Sequence, residues 1–148
     1  MGTRPINKGI DEKLFNDIIA INKTTPYHRL LGLNVSMLDK GVAELKIVVK
    51  KEYLNPAGNA HGGMLFSVFD SVLGASIRTF GNYDITSLSA NMSFIAPAKP
   101  GDTLTFTGKA VHIGRSTAVA EGRVYNQDDK LIATCSETFF NFGKLDNK

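Results

Sequence analysis

The sequence lacks several features that would assign it to a specialised class of protein. It contains a single cysteine, Cys135, among 148 residues, so an internal disulfide framework is excluded and a reducing compartment is expected. No segment reaches the ~18–20 consecutive apolar residues that a membrane-spanning helix needs. The basic residues Arg4 and Lys8 are not followed by the apolar stretch of a signal peptide. We therefore expect a cytoplasmic protein with no membrane insertion.

The sequence also lacks a strong excess of charge of either sign. The formal net charge is +3 and the lysines and arginines are scattered along the chain, which argues against a nucleic-acid partner. The three histidines are far apart and lack the spacing of metal ligands. No G-x-S-x-G sequence is present, so a serine nucleophile of the usual hydrolase type is not expected. Nothing in the pattern requires a metal ion or another cofactor.

The length suits one domain, which we place at residues 10–148 behind a flexible tail at residues 1–9. Apolar spacing predicts an amphipathic helix over 10–22 and a long apolar helix within the segment 51–80. Runs of strand-forming residues predict six strands, at 32–39, 42–50, 84–96, 102–113, 116–126 and 130–142. A long buried helix after the second strand indicates an α+β fold, in which a curved antiparallel sheet wraps around the helix.

The long helix carries one isolated charge. It is apolar on nearly every face from Met64 to Ile77, as expected of a helix buried in a core. Asp70 is the only charged residue between His61 and Arg78. An unpaired buried carboxylate is costly, so Asp70 is either functional or a structural group paired with Arg78 or a backbone donor. We favour a catalytic role, as general base on water or as nucleophile.

The loop before this helix supplies a complementary group. Asn55, Pro56 and Gly58 indicate a loop, and Gly62 and Gly63 allow close approach to the backbone where the helix begins. The first N–H groups of a helix have no partner within the helix and carry the positive end of its dipole. This helix start can therefore bind an oxyanion that develops during a reaction.

The spacing of these two features argues for a two-fold dimer. At 1.5 Å per residue, the nine residues from His61 to Asp70 span roughly 13 Å of helix. A carboxylate that acts on a carbonyl, directly or through one water, must lie within a few ångströms of it. Either the two features serve different purposes, or the helix start of one subunit works with Asp70 of another. The second arrangement requires antiparallel helices in a homodimer with two equivalent sites.

The motif resembles that of a known enzyme family. Asn55-x-x-Gly58-x-x-His61-Gly62-Gly63, with Asp70 on the following helix, is similar to the hotdog-fold acyl-CoA thioesterases of the PaaI-like, phenylacetate-pathway type. The segment 91–102, in particular 97–102, and the segment 114–117 also resemble that family, and the resemblance covers roughly residues 28–142. It implies a hotdog fold, a homodimer that pairs into a tetramer, and hydrolysis of an acyl-CoA thioester to a free acid and CoA.

The resemblance also implies roles for catalytic residues. It places the Gly62 N–H on the thioester carbonyl, although Gly62 alone would also suit a flexible helix entry. Asn55 is expected near the thioester or the water, or else simply shapes the turn. His61 is expected to orient the loop, by a bond to the loop or to Asn55, rather than to transfer a proton. Ser87 is expected to orient the water or Asp70.

Five further residues are expected to contact the substrate, each with an ordinary structural or surface position as the alternative. Gly63 also permits tight packing of the helix start. Ser89 lies two residues from Ser87, so both are expected on one face of a strand. Arginine and lysine suit the phosphates of CoA. The five residues are Gly63, Ser89, Asn91, Lys99 and Arg115.

Two other functions compete with hydrolysis. One is a hotdog hydratase or dehydratase, against which the pattern from Asn55 to Asp70 argues. The other is an acyl-CoA-binding module without enzymatic activity, for which we would expect a lost Asp70 or a fused DNA-binding segment, and the chain has neither. The pattern does not indicate whether the acyl group is aryl, short aliphatic or long aliphatic.

Overall fold

A seven-stranded sheet with one long helix packed against it forms most of the described chain, residues 3–145, in a computed structural model. The helices are α1 (Glu12–Thr24), α2 (Pro26–Leu31) and α3 (Gly62–Arg78), and a 3-10 turn lies at Lys51–Tyr53. The strands are β1 (Ile6–Asn7), β2 (Asn34–Asp39), β3 (Val42–Val48), β4 (Tyr83–Phe94), β5 (Thr103–Ile113), β6 (Thr117–Tyr125) and β7 (Leu131–Lys144). The six longer strands and α1 agree with the sequence prediction.

The sheet has the order β1-β2-β3-β5-β6-β7-β4, and its pairs are antiparallel except for β1 with β2. The prediction of six antiparallel strands is therefore incomplete, because Ile6–Asn7 pairs in parallel with β2. The Asn7 side chain fixes this segment by accepting hydrogen bonds from Gly9 and Ile10 at 3.0 Å. Two residues are too few to form a periodic pattern, so β1 leaves no strand signal in the sequence. The rest of the predicted tail and domain, residues 1–2 and 146–148, lies outside the described residues.

Helix α3 is the centre of the core. Ten of its residues are buried, and Val68, Phe69, Val72 and Leu73 have no exposed surface. The helix lies close to the sheet because Gly108 on β5 and Gly122 on β6 are directly opposite each other beneath it. A Cβ atom on Gly108 would lie 2.8 Å from the carbonyl oxygen of Val72. The two glycines therefore set the depth at which α3, and with it Asp70, sits on the sheet.

Helix α2 is absent from the sequence prediction, which places only one helix, at 10–22, before the first long strand. Thr25 serves as the C-cap of α1 and the N-cap of α2, and Pro26 occupies a first-turn position that proline favours. Hydrogen bonds tie α2 to α3, from Tyr27 to Ser67 at 2.8 Å and from His28 to Ser71 at 2.9 Å. The chain thus folds back across the outside of the central helix.

Strand β4 forms one edge of the sheet and is unusually open for its length. It has 12 residues, and the six from Thr86 to Asn91 are all exposed. Apolar side chains are exposed there too, with Leu88 57% and Phe94 61% accessible. An edge strand of this length with exposed apolar side chains is prone to pair with another chain. Within residues 3–145, no helix has both the length and the apolar content for crossing a membrane.

Candidate active site

The start of α3 presents two backbone N–H groups with different surroundings. His61 is the N-cap, and its Nδ1 atom accepts a hydrogen bond from the Gly63 N–H at 2.8 Å. The imidazole proton is therefore on Nε2 in the neutral ring. The Gly62 N–H has no acceptor among the residues that the structure describes. Of the two neighbouring donors, the one on Gly62 is left available to a ligand.

Gly62 opens onto a cavity of about 440 Å³. Asn55, Leu65 and Phe94 line the same cavity, together with the loop at 95–98. The Asn55 Oδ1 atom accepts hydrogen bonds from Ala57 and Asn59 at 3.0 and 3.1 Å, so Asn55 does shape the turn. Its amide nitrogen remains as a polar group at the cavity. The wall is otherwise mostly apolar, which suits a thioester with an apolar acyl chain.

Asp70 lies further along α3 and forms a pair with Ser87. The Ser87 hydroxyl donates to the Asp70 Oδ1 atom at 2.8 Å, and Asp70 is partly buried. The hydrogen bond that holds Asp70 thus comes from Ser87, not from the alternative partner Arg78. Arg78 still acts on Asp70 at longer range: burial lowers the pKa of Arg78, and the negative charge of Asp70 opposes that shift.

The Gly62 end and the Asp70 end of α3 are separate within one chain. Eight residues of helix place them roughly 12 Å apart. A carbonyl held at the Gly62 N–H is therefore beyond the reach of Asp70 in the same subunit. The two alternatives from the sequence analysis therefore remain: either the Gly62 end and Asp70 serve different purposes, or one site combines them from two chains.

His28 on α2 adds a group near Asp70 that sequence reasoning assigned no role. Burial lowers the pKa of His28, while the negative charge of Asp70 opposes this effect. Its Nε2 atom bonds Ser71 at 2.9 Å, and its Nδ1 atom is buried without a hydrogen-bond partner in the described residues. We expect His28 to be neutral at physiological pH.

Two predicted substrate contacts, Ser89 and Asn91, lie on the outer face of the sheet, away from α3. A bulge in β4 shifts the register, so Ser87 pairs with Phe139 and Ser89 pairs with Thr138. Phe139 faces the core, and its strand neighbour Thr138 faces the opposite side. In a regular strand, residues two apart point to the same face. The bulge adds one residue between Ser87 and Ser89, so these two side chains point to opposite faces. Asn91 follows Ser89 and lines a depression on the outer face.

The remaining predicted residues are spread around the molecule. Lys99 and Arg115 are exposed in the turns at opposite ends of β5, whose 11 residues span roughly 35 Å. Lys99 adjoins the Gly62 cavity, since Ala98 lines it. His61 and Gly63 line a different depression, with Tyr27 and Tyr53. The structure thus groups Asn55 with Gly62, and Ser87 with Asp70, while Arg115 lies far from the Gly62 of its own chain.

Sequence reasoning missed Glu137, the only charged residue between Leu131 and Phe142. It is 1% exposed and lies on the face of β7 that packs against α3. An alternating strand with a single inward-facing charge was a usable signal, similar to the one that identified Asp70. Cys135, two residues away, is also buried, and burial raises the pKa of its thiol to about 12.

Comparisons with known proteins agree with this architecture. The chain matches the family model described as the thioesterase superfamily over residues 57–133. It is 28% identical over 124 residues to the acyl-coenzyme A thioesterase PaaI of Escherichia coli K12, covering 84% of this chain and 88% of that protein. The solved structure of E. coli PaaI superposes with a TM-score of 0.85 at 26% identity, covering 92% and 98% of the two chains.

A second solved structure, a protein of Streptococcus mutans UA159 bound to acetyl CoA, has a TM-score of 0.72 and 33% identity and covers 76% and 90% of the two chains. The chain therefore belongs to the thioesterase superfamily, and its sheet with a central helix is the hotdog fold. Within this superfamily it is similar to the PaaI-like thioesterases. The predicted class of enzyme, a thioester hydrolase, is confirmed.

Proposed function

We propose that the protein hydrolyses an acyl-CoA thioester to a free carboxylic acid and CoA. The observation that carries this proposal is the unpaired Gly62 N–H at an apolar cavity, combined with a hydrogen-bonded carboxylate on the same helix. Similarity to the E. coli thioesterase and to the protein bound to acetyl CoA supports the choice of CoA ester. A thioester carbonyl is electrophilic, so one positioned base and one oxyanion donor suffice.

Asp70 acts as the general base in this scheme. It takes a proton from water, and the water oxygen attacks the thioester carbon. Negative charge develops on the carbonyl oxygen, where the Gly62 N–H and the helix dipole stabilise it. When the tetrahedral intermediate collapses, the carbon–sulfur bond breaks, and CoA leaves as a thiolate that takes the proton from Asp70 and so restores the carboxylate. Ser87 keeps Asp70 oriented, and Asn55 supplies an amide group at the cavity.

Each site combines residues of two subunits. The roughly 12 Å along α3 separates Gly62 from Asp70 in one chain, so Asp70 works with the partner subunit's Gly62. The open β4 edge supports this arrangement, because pairing β4 with its copy would cover the exposed Leu88 and continue the sheet. Pairing of two such dimers into a tetramer, and a phosphate contact for Arg115 and Lys99, belong to the same proposal.

The test is an assay of thiol release from a panel of aryl, short aliphatic and long aliphatic acyl-CoAs, read with a thiol-reactive dye. We expect hydrolysis of at least one ester, and loss of that activity in Asp70→Asn. Binding of acyl-CoA in a calorimeter without release of thiol would instead indicate a binding module. Hydration of an enoyl-CoA without thiol release would indicate a hydratase. Either result would contradict the proposal.

A further inference from the structure

Glu137 is a buried carboxyl group that the proposed mechanism does not use. Inward-facing residues alternate along β7, and Glu137 stands between Cys135 and Phe139 in that row. Both of its carboxyl oxygens are buried, and neither has a hydrogen-bond partner among the described residues. A buried, ionised carboxylate without donors is expensive, and the usual outcome is that such a group keeps its proton.

The neighbours of Glu137 explain where that proton goes. The Asp70 carboxyl raises the pKa of Glu137 and the Ser87 hydroxyl lowers it, so both groups act on this carboxyl. Ser87 already donates to Asp70, and the strand pairing that sets Ser87 opposite Phe139 places it beside Glu137. Two carboxylates offer each other no donor, whereas a protonated Glu137 donates to an ionised Asp70. A single shared proton therefore satisfies the whole group.

We infer that Glu137 is a positioning residue, which keeps its proton at neutral pH and donates it in a hydrogen bond to the Asp70 carboxylate. With Ser87 as the second donor, Asp70 is held in one orientation, and a lone pair remains for water. The effect of this orientation on catalysis rests on the proposed function of Asp70. The pair formed by the Glu137 carboxyl and the Asp70 carboxylate does not depend on that function.

Electrostatics agrees with this arrangement. Burial, followed by the hydrogen bond to Asp70, raises the pKa of Glu137 to about 8, and Ser87 acts in the opposite direction. The other titratable group facing Glu137 is Cys135, which stays a thiol because burial raises its pKa to about 12. Arg78 and His28 interact electrostatically with Asp70. Ionisation of Glu137 thus removes a donor and adds a like charge beside the base.

The first experiment compares kcat and KM across pH for the wild type, Glu137→Gln, Glu137→Leu and the control Glu121→Gln. Glu121 is an exposed glutamate on the outer face of β6. In Glu137→Gln the side-chain amide still donates but does not titrate. We expect this variant to stay within about threefold of wild type near pH ~6.5, and to lack the wild-type fall in kcat above pH ~8. Glu137→Leu should lose about tenfold or more in kcat with little change in KM.

The second experiment needs no substrate. It measures the melting temperature of the same proteins from pH ~5 to ~9. The folded-state pKa of Glu137 lies above its ordinary value of 4.5, so its contribution to stability is full below that value and is lost as pH rises to about 8. The melting temperature of the wild type minus that of Glu137→Gln should therefore fall across this range. The melting temperature of the wild type minus that of Glu121→Gln should stay nearly constant across the same range, because Glu121 is exposed.

The two readouts separate the possible failures. A constant difference in melting temperature overturns the shared proton, whether or not the protein hydrolyses acyl-CoA. A falling difference combined with identical pH profiles of kcat overturns the positioning role of Glu137. A falling difference in a protein that hydrolyses no ester supports the shared proton and counts against the proposed function alone.

Discussion

At the scale of single residues, one imidazole separates the roles of two adjacent glycines. His61 accepts the Gly63 N–H and leaves the Gly62 N–H open at the cavity. A Cβ at Gly62 would meet the Phe94 ring at 3.0 Å, and one at Gly63 would meet the His61 ring at 3.0 Å. The helix start therefore presents its backbone closely to whatever fills the cavity, and the hydrogen bond to His61 supports the proposed orienting role of that side chain.

Asp70→Asn tests the base. Asparagine keeps the shape and still accepts from Ser87, but it does not take a proton from water. We expect turnover to fall by about 10²-fold or more with little change in melting temperature. The matched control is Asp17→Asn, which changes an exposed carboxylate of α1 that pairs with Lys13. Near-normal turnover in Asp70→Asn on the best substrate would rule out the assignment.

In the proposed mechanism, Asn55 and Ser87 support Asp70 without exchanging protons themselves. Ser87→Ala removes the 2.8 Å bond to Asp70, and Asn55→Ala removes the acceptor of two loop N–H groups. Either alanine should lower turnover, by about tenfold and less than Asp70→Asn does, because each misplaces a group that is still present. Parallel measurements of kcat on one ester decide this. If Ser87→Ala were as inactive as Asp70→Asn, the hydroxyl would have to act directly in the chemistry.

At the scale of elements, the contact between α3 and the sheet fixes the site. Gly108 and Gly122 let the helix backbone approach β5 and β6, which holds Asp70 level with Ser87 on β4. No side chain can be added at Gly108 without moving the helix, since the Val72 carbonyl is backbone. The position of Asp70, the proposed base, thus depends on two glycines beneath the helix.

Gly108→Ala should lower the free energy of unfolding by about 1–3 kcal/mol, because overpacking must displace α3. Urea denaturation measures this change. Gly74→Ala on α3 is the matched control: its Cβ meets only the Arg78 guanidinium at 3.3 Å and Ile85 at 3.8 Å. Alanine favours a helix over glycine, so Gly74→Ala should be neutral or stabilising. Equal destabilisation by both substitutions would show that the close packing of α3 against Gly108 does not exclude a side chain at that position.

At the scale of the whole molecule, half of each proposed site is missing from a single chain. The open edge of β4 and the separation of Gly62 from Asp70 point to the same solution, a second copy. Subunit complementation tests it. Gly62→Pro removes the polarising N–H at a helix position that tolerates proline, and Asp70→Asn removes the base.

Each of these homodimers should be weak or inactive. After subunit exchange, a mixed dimer has one site with both defects and one with neither, so activity should return to about a quarter of wild type for random pairing. Gly62→Ala is the control, since it adds a Cβ against Phe94 but keeps the N–H. Folding of both variants is checked by circular dichroism. Exchange without recovery of activity would place the complete site within one chain.

Much of this protein was determined by its sequence alone. Six strands, α1 and the apolar α3 follow from periodicity, which depends only on which side chains face the core. Asp70 stood out because a charge on an apolar helix is costly. Motif spacing also identified the superfamily. These features are local, so neighbouring residues in the chain suffice to specify them.

Only the tertiary structure decided which groups meet. The bulge in β4 puts Ser89 on the opposite face from Ser87, and a bulge depends on pairing with a strand about 50 residues away. The role of Gly108 requires a helix above it, and β1 requires β2 beside it. Glu137 is the inferred partner of Asp70 only because β7, β4 and α3 converge. Long-range packing brings these groups together, and no local pattern in the chain records it.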